Sequence, residues 1–130
     1  MDLLQLVTLL SLLLLVVTIY KVGKARVKFG VKAPATTGNA DFERYYRVQM
    51  NTLEHMVIFL PAMWSFAYTW AAPQLASALG ALWIAGRIIY AAGYYKAADK
   101  RGAGFMIAML STAILLLGAI IGVTKHLLEM

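Results

Sequence analysis

Cysteine is absent from the 130-residue chain. No disulfide framework, thiolate metal site or cysteine nucleophile can be built from it, and the redox compartment is left open. Charge is scarce too: charged residues make up 14% of the chain, against about 25% in an ordinary soluble domain. Acids are scarcest, with 6 Asp and Glu residues against 12 Lys and Arg. What fills the space is apolar, 62% of the residues being hydrophobic, with a mean hydropathy of +0.72. This balance excludes an ordinary soluble domain and points to an integral membrane protein of one small domain. There is no internal repeat or low-complexity tract to suggest anything larger.

The net charge of +6 is less informative than its placement. Lys21, Lys24, Arg26, Lys28 and Lys32 cluster in one stretch, and Lys96, Lys100 and Arg101 in another. The intervening connection, AAPQLAS, carries no charge. Basic loops on one side of a membrane and neutral ones on the other is the positive-inside pattern. Nucleic-acid binding explains the basic balance poorly, because the basic residues flank apolar runs.

The apolar runs predict an all-α integral membrane protein, a four-transmembrane-helix bundle with helices at roughly 2–28, 41–71, 73–98 and 102–128. Leu3 to Tyr20 is free of charge, and about 20 apolar residues cross a bilayer as a helix. Asp2 stands where a signal peptide would carry a basic n-region, and no small-residue cleavage site follows, so this span is expected to be retained. GVKAPATTGNAD reads as a loop, with Asn39 or Asp41 available to cap the second helix. Pro61 is expected to kink that helix and free the carbonyl of Val57. Pro73 suits the first turn of the third helix, and DKRGAG breaks the chain before the fourth. Gly118 and Gly122, spaced by four in GAIIG, would allow a close helix approach. Four spans place both termini on one side and the two basic loops on the cytoplasmic side.

Polar residues within spans are expensive and usually line an interior or a pocket. Arg47, Asn51 and Glu54, spaced by four and then three, share one face of the second helix. Glu43 extends the stripe by a turn and His55 flanks it. On the third helix Arg87, Tyr90 and Tyr94 form a second stripe, and Arg101 lies seven residues beyond Tyr94. Counting inward from the charged helix ends puts Glu54 and Arg87 at similar depth. They can neutralise each other as a structural pair, beside or within a cavity at the cytoplasmic interface. The tyrosines can equally be interface aromatics, as can Tyr95. The lysines of the first loop need no role beyond topology. A cavity with several guanidinium groups, one carboxylate, amides and phenols suits a small zwitterion with surplus negative charge. Arginines grip carboxylates as a planar fork, and Glu54 can take an ammonium group. The bilayer would deliver an apolar second substrate.

FERYYRVQMNTLEH resembles the signature of the MAPEG superfamily, the membrane-associated proteins of eicosanoid and glutathione metabolism. LGALWIAGRIIYAAGYYKAADKRGAG is similar to the third-helix region of the microsomal glutathione transferases, particularly the type-three group. The resemblance runs from about Arg26 to Gly104. It implies a homotrimer whose glutathione sites lie between neighbouring subunits, with glutathione as co-substrate. It implies glutathione-binding roles for Arg26, Arg47, Gln49, Asn51, Glu54, His55, Tyr90 and Tyr94, with Gln49 reaching a site of the adjacent subunit. Arg101 resembles the arginine that stabilises the glutathione thiolate, the catalytic position. Two departures stand out. His55 occupies a position that is commonly tyrosine in the leukotriene-C synthase branch, and Val27 follows Arg26 where that branch has a second arginine. Both point away from leukotriene synthesis, whereas the type-three group permits transferase and peroxidase activity.

The activity implied is a membrane-bound glutathione transferase acting on hydrophobic or lipid-derived electrophiles, with lipid-hydroperoxide reduction as a second capacity. The alternative within the superfamily is a non-catalytic lipid-binding scaffold. A member of that kind lacks the arginine corresponding to Arg47, and this chain retains it. A multidrug-type transporter using Glu54 as its coupling carboxylate leaves Arg101 and the tyrosines without a role. With no palmitoylation cysteine or C-terminal retention signal evident, a bacterial inner membrane is expected, with the endoplasmic reticulum as the alternative.

Overall fold

A computed structural model describes all 130 residues. Four helices follow one another: α1 (Asp2–Phe29), α2 (Ala40–Thr69), α3 (Pro73–Lys96) and α4 (Gly102–Leu128), with a single 3-10 turn at Ala98–Arg101. Each boundary has a local cause. α1 ends at Gly30, whose left-handed backbone (φ 70°) lets the Val31 N–H reach back to the Arg26 carbonyl, a glycine-terminated helix end. Asn39, not Asp41, caps α2: its side-chain oxygen accepts the Phe42 N–H at 3.0 Å, satisfying one of the free N-terminal donors. α2 continues as helix through Pro61. Pro73 opens α3 at its first turn, where its missing N–H leaves no partner unsatisfied. α3 stops at Lys96 because Ala97 turns extended.

α1 lies against α2 and α3, while α2, α3 and α4 pack on one another. The main core joins Leu4 and Val7 of α1 to Phe59 and Met63 of α2, Trp83 of α3 and Leu115 of α4. Phe59 and Trp83 stack face to face at 4.1 Å. α3 and α4 come unusually close through glycine. A Cβ on Gly104 would collide with the backbone of Tyr90 and Gly86, and one on Gly86 with the backbone at Ala108 and Gly104. Gly118 and Gly122 leave room on α4 for side chains of α2. Phe66 seats against Gly118, and Thr69 and Trp70 against Gly122. Trp70 locks the arrangement by donating its Nε1 to the Gly118 carbonyl at 2.8 Å.

Leucines, isoleucines and valines along α1 and α4 face outward, among them Leu9, Leu13, Val16, Leu110, Leu117 and Ile121. Such a surface is stable against lipid or another apolar partner. By length and composition α1, α3 and the segment Ala98–Leu128, which contains α4, can cross a membrane. α2 does not meet that criterion, so three helices rather than four qualify. The cause is its first half, which carries Asp41, Glu43, Arg44, Arg47 and Glu54 and leaves an apolar run only from Met56 to Thr69.

Candidate functional site

The start of α2 lies beside the end of α3. Tyr45 stacks on Tyr95 at 4.3 Å, and Arg44 donates its Nε to the Tyr95 carbonyl at 3.3 Å. Arg44 also pairs with Asp41, the one ion pair in the chain. Tyr95 is thus a strut between α2 and α3, with Lys21 of α1 over its ring at 5.5 Å. At this end of the bundle the 3-10 turn carries the chain from α3 to α4, and a cavity of about 390 Å³ opens beside it. Its walls are Arg47 and Asn51 from α2, Tyr90 and Tyr94 from α3, and Arg101, Gly102 and Phe105 from the turn and α4.

Helical spacing explains the convergence. Arg47 and Asn51 are one turn apart on α2, and Tyr90 and Tyr94 one turn apart on α3, so each pair shares a face. Tyr90 is buried and meets Tyr94 edge-on at 5.5 Å. Arg101 donates Nη1 to the Ala98 carbonyl at 2.8 Å, and its guanidinium lies 5.4 Å from the centre of the Tyr94 ring. One guanidinium on α2 and another on the turn therefore look into a space floored by phenols. Two guanidinium groups, a half-buried amide and phenolic hydroxyls can together hold and neutralise an anionic ligand.

Other residues singled out in the sequence lie outside this cavity in the single chain. Arg26 folds into the α1–α2 loop, donating Nη1 to the carbonyls of Ala35 (2.7 Å) and Val31 (3.4 Å), with its guanidinium 4.9 Å from the Phe42 ring centre. Gln49 is half-buried and Glu54 exposed. His55 packs its ring edge-on against Phe105 at 5.4 Å, placing it behind the aromatic wall of the cavity.

The structural pairing of Glu54 with Arg87 does not form. Arg87 is 1% exposed and donates Nη2 to Asn51 Oδ1 and to Thr52 Oγ1, each at 2.9 Å. α3 is offset from α2 by about a turn relative to the depth count, so Asn51 and Thr52, not Glu54, stand opposite Arg87. Sequence reasoning also passed over Phe105 and Thr52. Phe105 is four residues after Arg101, a spacing that could have flagged it. Thr52 carried no signal beyond adjacency to Asn51.

An all-helical bundle with apolar spans and a polar cavity at one end defines a helical integral membrane protein. Residues 4–121 match the MAPEG family, and the chain belongs to that family. It is 50% identical over 125 residues to an uncharacterised protein of Synechocystis sp., covering 96% of this chain and 90% of the relative. It is 39% identical over 110 residues to microsomal glutathione S-transferase 2 of Homo sapiens, covering 84% and 74%. It is 34% identical over 122 residues to leukotriene C4 synthase of Bos taurus, covering 94% and 81%. The branch resemblance carried by the third-helix motif was to type-three transferases; the characterised relatives named here are a type-two transferase and a leukotriene C4 synthase.

Proposed function

We propose that the protein is a membrane-bound glutathione transferase that binds glutathione in the cavity between α2, α3 and the start of α4. The observation that carries this reading is the cavity wall itself: Arg47, Asn51, Tyr90, Tyr94 and Arg101 converge there from separate stretches of the chain. The similarity to a glutathione S-transferase across most of the chain supports the choice of ligand.

Glutathione brings two carboxylates, one ammonium group and a thiol. A free cysteine thiol has a pKa of about 8.5, so only about 3% is thiolate at pH 7. A guanidinium held beside the sulfur favours the anion, and a ten-fold gain in its acidity corresponds to about 1.4 kcal/mol. Arg101 is the group assigned this role, with Arg47 and Asn51 holding the tripeptide. The thiol proton passes to solvent at the cavity mouth. The sulfur then forms a bond to the electrophilic carbon, and the leaving group departs with its electron pair. No protein nucleophile is required, in keeping with a chain that has no cysteine.

Arg26, Gln49, Glu54 and His55 complete this reading in a homotrimer, where an adjacent copy supplies residues that face away from the cavity of their own chain. α2 crosses the membrane with its neighbours, its charged first half in the cytoplasmic interface with both basic loops. The membrane is a bacterial inner membrane or the endoplasmic reticulum. The second substrate is a hydrophobic or lipid-derived electrophile arriving from the bilayer. Reduction of a lipid hydroperoxide is a second activity of the site: the thiolate takes the outer oxygen and releases the lipid alcohol, and a second glutathione displaces water from the resulting sulfenic acid to give glutathione disulfide.

Calorimetric titration of the purified protein with glutathione tests the proposal. Saturable binding is expected. Binding of lipid without binding of glutathione would instead favour a non-catalytic scaffold.

A further inference from the structure

Arg87 is the most deeply buried charge in the chain, and it has no carboxylate partner. Only its Nη2 is satisfied, by Asn51 Oδ1 and Thr52 Oγ1, while Nε and Nη1 have no partner in the protein. Its guanidinium stacks on Tyr90, 4.0 Å from the ring centre. An isolated buried charge is costly, and a bundle needing only packing at this position would be served as well by an apolar side chain. Its two neighbours are informative. Asn51 and Tyr90 both line the cavity, whereas Arg87 stands behind them.

We propose that Arg87 is a positioning residue that fixes which end of the Asn51 amide faces the cavity, and thereby selects an acceptor group on the ligand. Arginine is a donor only, so the Asn51 atom that meets it must be the carbonyl oxygen. The amide cannot rotate without setting its NH2 against a guanidinium. Nδ2 is therefore the polar atom that Asn51 has left to offer the cavity. A carboxylate or carbonyl of the ligand fits at that wall, and an ammonium group does not. The assignment rests on the proposed glutathione site and deepens it: a glutathione carboxylate, not its ammonium, lies against Asn51, with the uncompensated charge of Arg87 behind it.

Asn51→Asp is the decisive variant, because it keeps an acceptor toward Arg87 and removes the donor from the cavity. It is compared with Asn51→Ala, each in the wild-type and R87M backgrounds. Thermal midpoints are taken without ligand, and binding is measured by calorimetry for glutathione and for its dicarboxamide. N51D is expected to hold or raise the midpoint beside Arg87 and to lower it in the R87M background. It should reduce the preference for glutathione over the dicarboxamide at least ten-fold, further than N51A does. An equal loss of midpoint in both backgrounds, or an unchanged preference in N51D, overturns the assignment. If the wild type binds neither compound, the glutathione site itself fails, and the background-dependent sign of the midpoint change then decides the Arg87–Asn51 coupling alone. Should R87M not fold, R87Q, which keeps a polar side chain but carries no charge, takes its place in the same comparison.

Discussion

Arg101 and Tyr94 face each other at the mouth of the cavity, the guanidinium 5.4 Å from the ring centre and its Nη1 bound to the Ala98 carbonyl. Seven residues separate them in sequence, yet no continuous helix joins them. The extended backbone at Ala97 and the 3-10 turn after it carry Arg101 back over the ring. The arginine is therefore placed by a turn, a carbonyl and an aromatic face together.

The ring should matter more than the hydroxyl for placing Arg101. A cation over an aromatic face at an exposed site contributes about 0.5–1 kcal/mol. Tyr94→Leu is expected to lower the rate of glutathione conjugation to an aryl halide roughly two- to five-fold through this loss. Tyr94→Phe, which keeps the ring, should stay closer to wild type in rate. A larger loss in Tyr94→Phe than in Tyr94→Leu would contradict the stacking role.

Close approach of α3 and α4 fixes the cavity floor, because Gly104 abuts the Tyr90 backbone. Gly104→Val has backbone, not a flexible side chain, in its way. Overpacking of this kind should destabilise the fold by about 2 kcal/mol or more, read as a lowered thermal midpoint in detergent. Gly102→Ala meets nothing nearby and is the control, expected to fold as wild type does.

Glu54 is exposed and has no ion-pair partner in the chain. Glu54→Gln should leave stability within about 0.5 kcal/mol of wild type, whereas a structural pair with Arg87 would make it strongly destabilising. In the proposed trimeric site the same substitution weakens glutathione binding. Calorimetry beside thermal melting separates the two effects.

The cap on α2 is a local device with a measurable share of stability. Asn39→Ala removes the acceptor for the Phe42 N–H and should cost about 1 kcal/mol. Asp41→Ala leaves that cap in place, and its milder effect in the same melting assay would identify Asn39 as the residue that starts the helix.

The helices were legible in the sequence because their punctuation is chemical. Asn39, Pro73 and Gly102 stand at real boundaries, and the apolar runs between them are long. The pairs Arg47–Asn51 and Tyr90–Tyr94 were legible for the same reason, since spacing by four fixes a face, whereas Glu54 and Arg87 of the same stripes do not line the cavity. Spacing does not fix the axial offset of two helices. Counting depth from charged ends set Glu54 against Arg87, where packing sets Asn51 and Thr52. Phe105 is apolar in an apolar helix, so only its spacing of four from Arg101 marked the cavity it lines. Arg26 and Gln49 entered through family resemblance and Glu54 through its spacing from Arg47 and Asn51, and in the single chain all three lie apart from the cavity.

Whether Arg101 holds bound glutathione as its thiolate is read by the ultraviolet difference spectrum of the glutathione-saturated protein at neutral pH. A thiolate band well above the roughly 3% ionisation of a free thiol is predicted for wild type. Arg101→Ala, saturated with glutathione to the same degree, should lose most of that band. A spectrum for wild type no different from free glutathione, or one unchanged by Arg101→Ala, would contradict the account.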